Sequence, residues 1–362
     1  MEHVESKHAP PDVPVPQKRL LRRAFHRFIP AGFHDPVGLA RRLLQSENPA
    51  AIFALRAALL GPLLMPLDLL LAPLEHLRYR RAPEPQRPIL LICGPARSGT
   101  TVTAQLLIQN LPVSYFSNLT SVFPRAPLTA ESIFGRQRRQ TDVSFRSYYG
   151  RTSGWSGPND ALYVWDRWFG SDRTRIPQEL APAVRQAMLS FFGARERQTG
   201  QPTLGKNNAL NACAHLVAEA LPTARFICLE RSRVTLALSL LRARVEIHGR
   251  PELAYGLMPP DCRQGNDPVE DICRQILFHE QLARRQLERL GPERFVLVRY
   301  EDVCRNPREF VERIRRDVLG EKPDDSEMDP ITGPRSTTNR PEDPTLTDRI
   351  EKTFDRISRG ES

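Results

Sequence analysis

What this 362-residue chain has little of narrows its class before any motif is read. Its six cysteines (93, 213, 228, 262, 273 and 304) form no Cys-x-x-Cys pair, and no histidine stands at metal-ligand spacing from them. A disulfide framework and the common zinc signatures therefore have no support. Cys93 and Cys228 sit in apolar runs and read as small core hydrophobes. The opening, Met-Glu-His-Val-Glu-Ser-Lys, is charged where a signal peptide needs an apolar core. The chain is expected to be reduced and cytoplasmic. Long apolar runs are missing too: a spanning helix needs about 20 largely uncharged residues, and the longest clean run, 57–67, has eleven. No interleaved basic–aromatic platform accompanies the net charge of +10. That charge suits an anionic small molecule, an acidic polymer or an anionic membrane surface, and no nucleic-acid partner is expected.

What is present centres on one stretch. Pro88-Ile-Leu-Leu-Ile-Cys93 is an apolar run of strand length, and Gly94-Pro-Ala-Arg-Ser-Gly-Thr-Thr101 follows it. A helix is expected from Thr100 to Leu111. A turn between the two can present backbone N–H groups to an anion, with the helix N-terminus adding partial positive charge. The spacing is that of the nucleoside-triphosphate phosphate loop, Gly-x4-Gly-Lys-Ser/Thr, with one change. Thr100 occupies the lysine position, and Arg97 supplies a cation from inside the loop. A lysine there serves a polyphosphate and its magnesium; an internal arginine suits a shorter anion.

Further blocks follow the same grammar. Residues 225–229 read as a second buried strand, followed by Glu-Arg-Ser-Arg at 230–233 and a helical pattern over 234–242. Residues 295–302 and 306–310 form a third strand-and-helix block. A short strand at 203–206 ends on Lys206 and Asn207, before a helix at 209–220. Other helices are expected at 177–199, at 345–357, and from Asp267 or Pro268 to a cap at Gly291. Between 114 and 170 the chain reads as polar and irregular, apart from an aromatic cluster at 155–169 that begins near Asp160. Strands alternating with helices predict an α/β fold with a parallel sheet and a ligand at its C-terminal edge.

Arg97-Ser-Gly-Thr-Thr101 after an apolar strand resembles the 5′-phosphosulfate loop of the sulfotransferases that use 3′-phosphoadenosine-5′-phosphosulfate. The three blocks, in the same order, extend the resemblance over roughly residues 88–350, toward a bacterial member similar to the Golgi-type, tyrosylprotein-like branch. The resemblance implies a phosphate-loop fold with a central parallel sheet flanked by helices. It implies that Arg97, Ser98, Gly99, Thr100 and Thr101 hold the 5′ end of the donor, and that Arg231 and Ser239 hold the 3′-phosphate. Arg335 and Ser336, in the polar loop 333–340, would add donor contacts. Lys206 would be the second cation on the sulfuryl group. A sulfuryl carries less charge than a phosphoryl, so no metal is expected.

A hydroxyl acceptor needs a general base. Relatives of the Golgi type keep a glutamate in a segment that here reads Ser117-Asn-Leu-Thr-Ser-Val-Phe-Pro-Arg125, without a carboxylate, and the Lys-Thr-His segment of the cytosolic type is absent. Asp160 is the replacement candidate, with a plain helix N-cap as the alternative reading. Glu131, Asp166 and His215 are weaker options. The acceptor is expected to be a hydroxyl on a glycan, glycolipid or lipid.

The N-terminal part reads separately. Residues 1–17 are proline-rich and patternless, a disordered tail. Residues 18–29 place Leu21, Phe25 and Phe28 on one helical face among Lys18, Arg19, Arg22, Arg23 and Arg27, which suits an anionic bilayer or a docked helix. Residues 50–74 are the most apolar of the chain, interrupted by Arg56, Asp68, Pro62, Pro66 and Pro73. They read as an interfacial or re-entrant helical hairpin, with a buried helical subdomain as alternative. The expected organisation is thus a tail at 1–17, a helical, membrane-interfacial segment at 18–82, and a sulfotransferase domain at 83–362 at the inner face of the membrane. A nucleotide kinase and a non-catalytic membrane scaffold are the competing functions.

Overall fold

A computed structural model of the chain describes residues 35–135, 145, 147–170, 172–260, 262, 267–321 and 343–360. Two helices come first, α1 (Pro36–Gln45) and α2 (Pro49–Arg80). The expected strand follows as β1 (Ile89–Cys93), leading into α3 (Thr100–Asn110) and the two-residue β2 (Ser114–Tyr115). The stretch that reads as irregular carries short elements: α4 (Asn118–Ser121), α5 (Pro127–Phe134), a hairpin of β3 (Ser147–Tyr148) and β4 (Arg151–Thr152), and α6 (Leu162–Phe169). Then come α7 (Pro182–Thr199), β5 (Thr203–Lys206), α8 (Leu210–Ala220), β6 (Ala224–Glu230), α9 (Arg233–His248) and α10 (Pro268–Leu290). The chain closes with β7 (Phe295–Arg299), α11 (Tyr300–Arg305), α12 (Pro307–Asp317) and α13 (Pro344–Ser358).

The sheet order is β2-β5-β1-β6-β7 and every pairing in it is parallel. Its central strand is apolar throughout because both faces are covered, the pattern of a parallel sheet between helix layers. Alternate side chains of β1 split between the layers. Ile89, Leu91 and Cys93 join Phe191, Val217 and Phe226 on one side, while Leu90 and Ile92 join Leu107, Ile227 and Ile314 on the other. The loops that leave β1, β5, β6 and β7 all open at the sheet's C-terminal edge, which places the loop after β1 beside Lys206, Arg231 and Tyr300.

The apolar N-terminal region is one continuous helix rather than the expected hairpin. Asn48 Oδ1 caps α2 by accepting from the Ala50 amide at 2.9 Å, with Pro49 at the first helical position. Pro62, Pro66 and Pro73 lie inside it, all on its exposed side. Its inward face is bolted down by two buried carboxylates. Asp68 accepts from the amides of Arg125 and Ala126, each at 3.0 Å. Glu75 accepts from the amides of Leu128 at 3.1 Å and Thr129 at 2.7 Å. These amides open α5, which has no side-chain cap of its own. Carboxylates from another helix thus satisfy its orphan donors and its dipole. Desolvation pushes the Asp68 carboxyl above its ordinary pKa, against the backbone hydrogen bonds that favour the charge. Ala57, Leu64, Leu67 and Leu71 pack on Leu119, Val122, Phe123 and Trp155. Residues 36–80 are therefore packed on the α/β unit across the expected boundary near 82. The tail and the basic segment 18–29 lie outside the described residues.

A second buried polar group holds the loop after α9. His279 Nε2 donates to the Leu257 carbonyl at 3.1 Å and Nδ1 faces the Asn211 amide at 2.8 Å, while Gln275 donates to the carbonyls of Tyr255 and Leu257. Burial lowers the His279 pKa to about 4. The unfolded chain binds that proton near the ordinary value of about 6.5, so stability is intact above pH 6.5 and falls as pH drops toward 4. Denaturant unfolding at pH 7 and pH 5 is expected to show an excess loss of about 2 kcal/mol in the parent relative to His279→Gln. Equal pH dependence of the two proteins would remove this assignment.

Candidate active site

The loop after β1 is shaped by backbone conformation before any side chain contributes. Gly94, Arg97 and Gly99 have φ of 133°, 73° and 102°. At Gly94 a Cβ would stand 2.6 Å from the Leu229 carbonyl, so the turn lies against β6. At Gly99 a Cβ would stand 2.2 Å from Cδ2 of Tyr300, whose ring covers the loop. Arg97, with a side chain, is held in the left-handed region at a cost of about 1–3 kcal/mol. Strain of this kind persists only where the surroundings over-determine it. A cluster of positive-φ residues of this kind has the backbone form of an anion-binding nest. α3 starts at Gly99 without a side-chain cap, and the fully buried Ser98 hydroxyl has no partner among the described residues. Uncapped amides and an orphaned hydroxyl at one turn are the inventory an oxyanion would complete.

Cations reach this turn from three strands. Arg231, after β6, donates from Nη1 to the Arg97 carbonyl at 2.9 Å, and its guanidinium lies 5.1 Å over the Tyr300 ring. Burial lowers its pKa. Arg97 donates from Nε to Ser239 Oγ on α9 at 3.2 Å. The two arginines, expected at opposite ends of a ligand, are therefore joined through the Arg97 backbone, and Arg97 reaches the serine of the other motif. Lys206, at the end of β5 and 3% exposed, donates from Nζ to Thr101 Oγ1 at 2.8 Å and pairs with the Asp160 carboxylate. Thr100 Oγ1 bonds Asn208 Oδ1 at 3.3 Å.

Asp160 arrives on a loop with its own scaffold. Asn118 donates to the carbonyls of Thr152 at 3.0 Å and Gly154 at 2.8 Å, and accepts from Asn159 at 2.9 Å. Asn159 in turn accepts from the Ala161 amide at 2.9 Å. Ala161, fully buried with φ of 49°, is the residue that starts α6, and no side chain caps that helix. The N-cap reading of Asp160 is thereby replaced: its carboxylate faces Lys206. A cavity of about 50 Å³, lined by Leu162, Trp165, Phe169, Ile176, Leu257 and Asn207 among others, opens alongside.

The other expected bases are occupied elsewhere. Glu131 pairs with the fully buried Arg195 at 2.9 Å, Asp166 holds Arg173 through both oxygens, and the His215 ring bonds Gln286 at 3.0 Å. Arg335 and Ser336 lie outside the described residues. Three contributors were not legible as site residues. Tyr149 places its ring 4.7 Å under the Arg97 guanidinium, and burial pushes its phenol up to about 12. Its signal is the Tyr-Gly turn, in which Tyr149 and Gly150 both adopt positive φ, as a tight hairpin demands. Tyr300 closes the third strand block, and Asn208 follows the Lys206–Asn207 pair.

Comparison with known proteins agrees with this geometry. A family model described as the sulfotransferase family matches residues 88–321. No curated protein matches the chain. Among solved structures, sulfotransferase STF1 from Mycobacterium tuberculosis H37Rv is similar at 11% identity, with a TM-score of 0.51 over 93% of this chain and 97% of that one. Sulfotransferase STF9 from Mycobacterium avium is similar at 15% identity, with a TM-score of 0.50 over 96% and 90%. At these identities the two structures speak to the fold.

The packing of Tyr300 on Gly99 makes a direct prediction. Gly99→Ala is expected to lower stability by about 2–4 kcal/mol, from the left-handed φ and the ring clash together. A thermal double-mutant cycle with Tyr300→Ala should show coupling between the two positions, and strict additivity would separate them.

Proposed function

The chain belongs to the sulfotransferase family, and from that premise we propose that it moves the sulfuryl group of 3′-phosphoadenosine-5′-phosphosulfate to an acceptor hydroxyl on a glycan or glycolipid. The observation that carries the donor assignment is the convergence of Arg97, Arg231 and Ser239 from two distant motifs on one strained turn. That turn also offers uncapped amides and the orphaned Ser98 hydroxyl. These groups fit a nucleotide carrying two separate phosphate-type anions. The loop would hold the 5′ end, while Arg231 and Ser239 would hold the 3′-phosphate, each charge-assisted contact being stronger than a neutral one.

Transfer of a sulfuryl group asks for positioning and for charge compensation at its oxygens. Lys206 has no water-exposed alternative: it is buried, tied to Thr101 in the loop and to Asp160 across it. In this reading Lys206 stabilises charge that develops on the transferred group and on the departing bisphosphate. Asp160 accepts the proton of the attacking hydroxyl, the new O–S bond forms, and adenosine 3′,5′-bisphosphate leaves. The protein is proposed to act on the cytoplasmic side, where such a donor is made.

Calorimetry tests the donor half. Adenosine 3′,5′-bisphosphate is expected to bind without metal, and ATP–magnesium poorly or not at all. Arg231→Ala should weaken the bisphosphate by about 1.5–3 kcal/mol and bring its affinity close to that of adenosine 5′-phosphate. Preference for ATP–magnesium would overturn the reading.

A labelled donor and a panel of glycan and glycolipid acceptors test the chemistry. Asp160→Asn is expected to reduce kcat by about 10²–10⁴, with bisphosphate affinity held within a few-fold. Activity close to the parent's would remove Asp160 from the base role.

A further inference from the structure

Among the described residues, α2 leaves one long face without a partner. Arg56, Leu59, Leu63, Pro66, Leu70, Leu74, Leu77 and Arg80 follow one another at spacings of three and four, so they share a side of the helix. All eight are exposed, with Leu63 at 75% and Leu70 at 74%. From Leu59 to Leu77 the stripe is about 27 Å long at 1.5 Å per residue. Gly61, Asp68, Leu71 and Glu75 mark the opposite side and are buried. Both acidic residues of the helix thus point inward. The exposed ionisable side chains left on α2 are Arg56, His76 and Arg80. The outward face is apolar in the middle, basic at both ends and free of negative charge.

We infer that this face is a docking surface for an anionic lipid leaflet, with α2 lying in the membrane plane. The leucines enter the acyl boundary, while Arg56 and Arg80 reach lipid phosphates at either end. A contiguous apolar stripe rimmed by basic residues has the character of an interaction surface. A second copy fits it poorly. Antiparallel pairing sets Arg56 of one chain against Arg80 of the other, and parallel pairing sets each arginine against itself, with no acid on the face to relieve either. Spanning fits poorly too, although the helix is long and apolar enough to cross a membrane. Crossing would strip Asp68 and Glu75 from the amides of residues 125–129 and carry both carboxylates into hydrocarbon.

The surface also has a fixed relation to the site. The inner face of α2 packs on Leu119 and Trp155, and Phe53 meets the Trp155 ring edge-on at 5.0 Å. Those residues flank Asn118, the anchor of the loop that presents Asp160. Docking therefore braces the Asp160 side and would bring a lipid-borne acceptor to it. This last step rests on the proposed function, whereas the docking itself does not.

The test is cosedimentation of the full chain with equimolar phosphatidylglycerol–phosphatidylcholine vesicles and with phosphatidylcholine alone. Binding is expected to the anionic vesicles, weakening with salt. Leu63→Glu/Leu70→Glu, both at exposed positions, should lower partitioning roughly tenfold or more, with the thermal midpoint and the affinity for adenosine 3′,5′-bisphosphate unchanged. Arg56→Gln/Arg80→Gln should erase the preference for anionic lipid. Binding that survives the glutamates would overturn the inference, as would a vesicle-free dimer that the glutamates dissociate, or resistance to alkaline extraction. Loss of bisphosphate binding with vesicle binding intact would count against the proposed function alone.

Discussion

The structure depends on keeping one turn open. Between β1 and α3 the backbone is driven into left-handed conformations at Gly94, Arg97 and Gly99, and no side chain caps the helix that follows. Such a turn is unfavourable by itself. It is held from below by a strand buried on both faces, from one side by the Leu229 carbonyl of β6, and from above by the Tyr300 ring. Each support comes from a different parallel strand, so the sheet order β5-β1-β6-β7 is what makes the strain tolerable. The same order brings Lys206, Arg231 and Tyr300 to the loop, since each follows or ends a neighbouring strand.

Charge is concentrated there in an unusual balance. Arg97 and Arg231 touch through backbone and sit on aromatic rings, while Lys206 answers Asp160. Burial lowers the Arg231 pKa, and the nearby Arg97 charge adds to this while Tyr300 and Glu301 act against it. The aromatic faces of Tyr149 and Tyr300 relieve part of the desolvation cost.

The N-terminal helices solve a different problem with the same physics. α5 begins without a cap, and the two carboxylates of α2 supply its acceptors from outside. The hairpin that carries Tyr149 is held likewise, because Tyr148 packs with Leu43, Ala50, Ala51 and Ile247. Through these contacts the apolar N-terminal region is part of the wall around the site, and its outward leucines are what is left over once that wall is built.

The amino-acid sequence by itself determined the strand–loop–helix at 88–111, the alternation that makes a parallel sheet, and the family. All of these are local patterns: apolar runs, glycine placement and short spacings, which the backbone converts into structure within a few residues. The tertiary structure alone decided three things. It decided that Asp160 faces Lys206 rather than capping α6, because a buried left-handed Ala161 and the Asn118–Asn159 contacts aim it. It decided that residues 49–80 form one docked helix, because Asp68, which read as an interruption, and Glu75 just beyond the apolar stretch are the groups that α5 requires. And it recruited Tyr149 and Tyr300, whose roles arise from packing against residues about 50 and 200 positions away in the chain. Nothing in their own neighbourhood marks such contacts, since side-chain partners across a fold are fixed by topology and not by local preference.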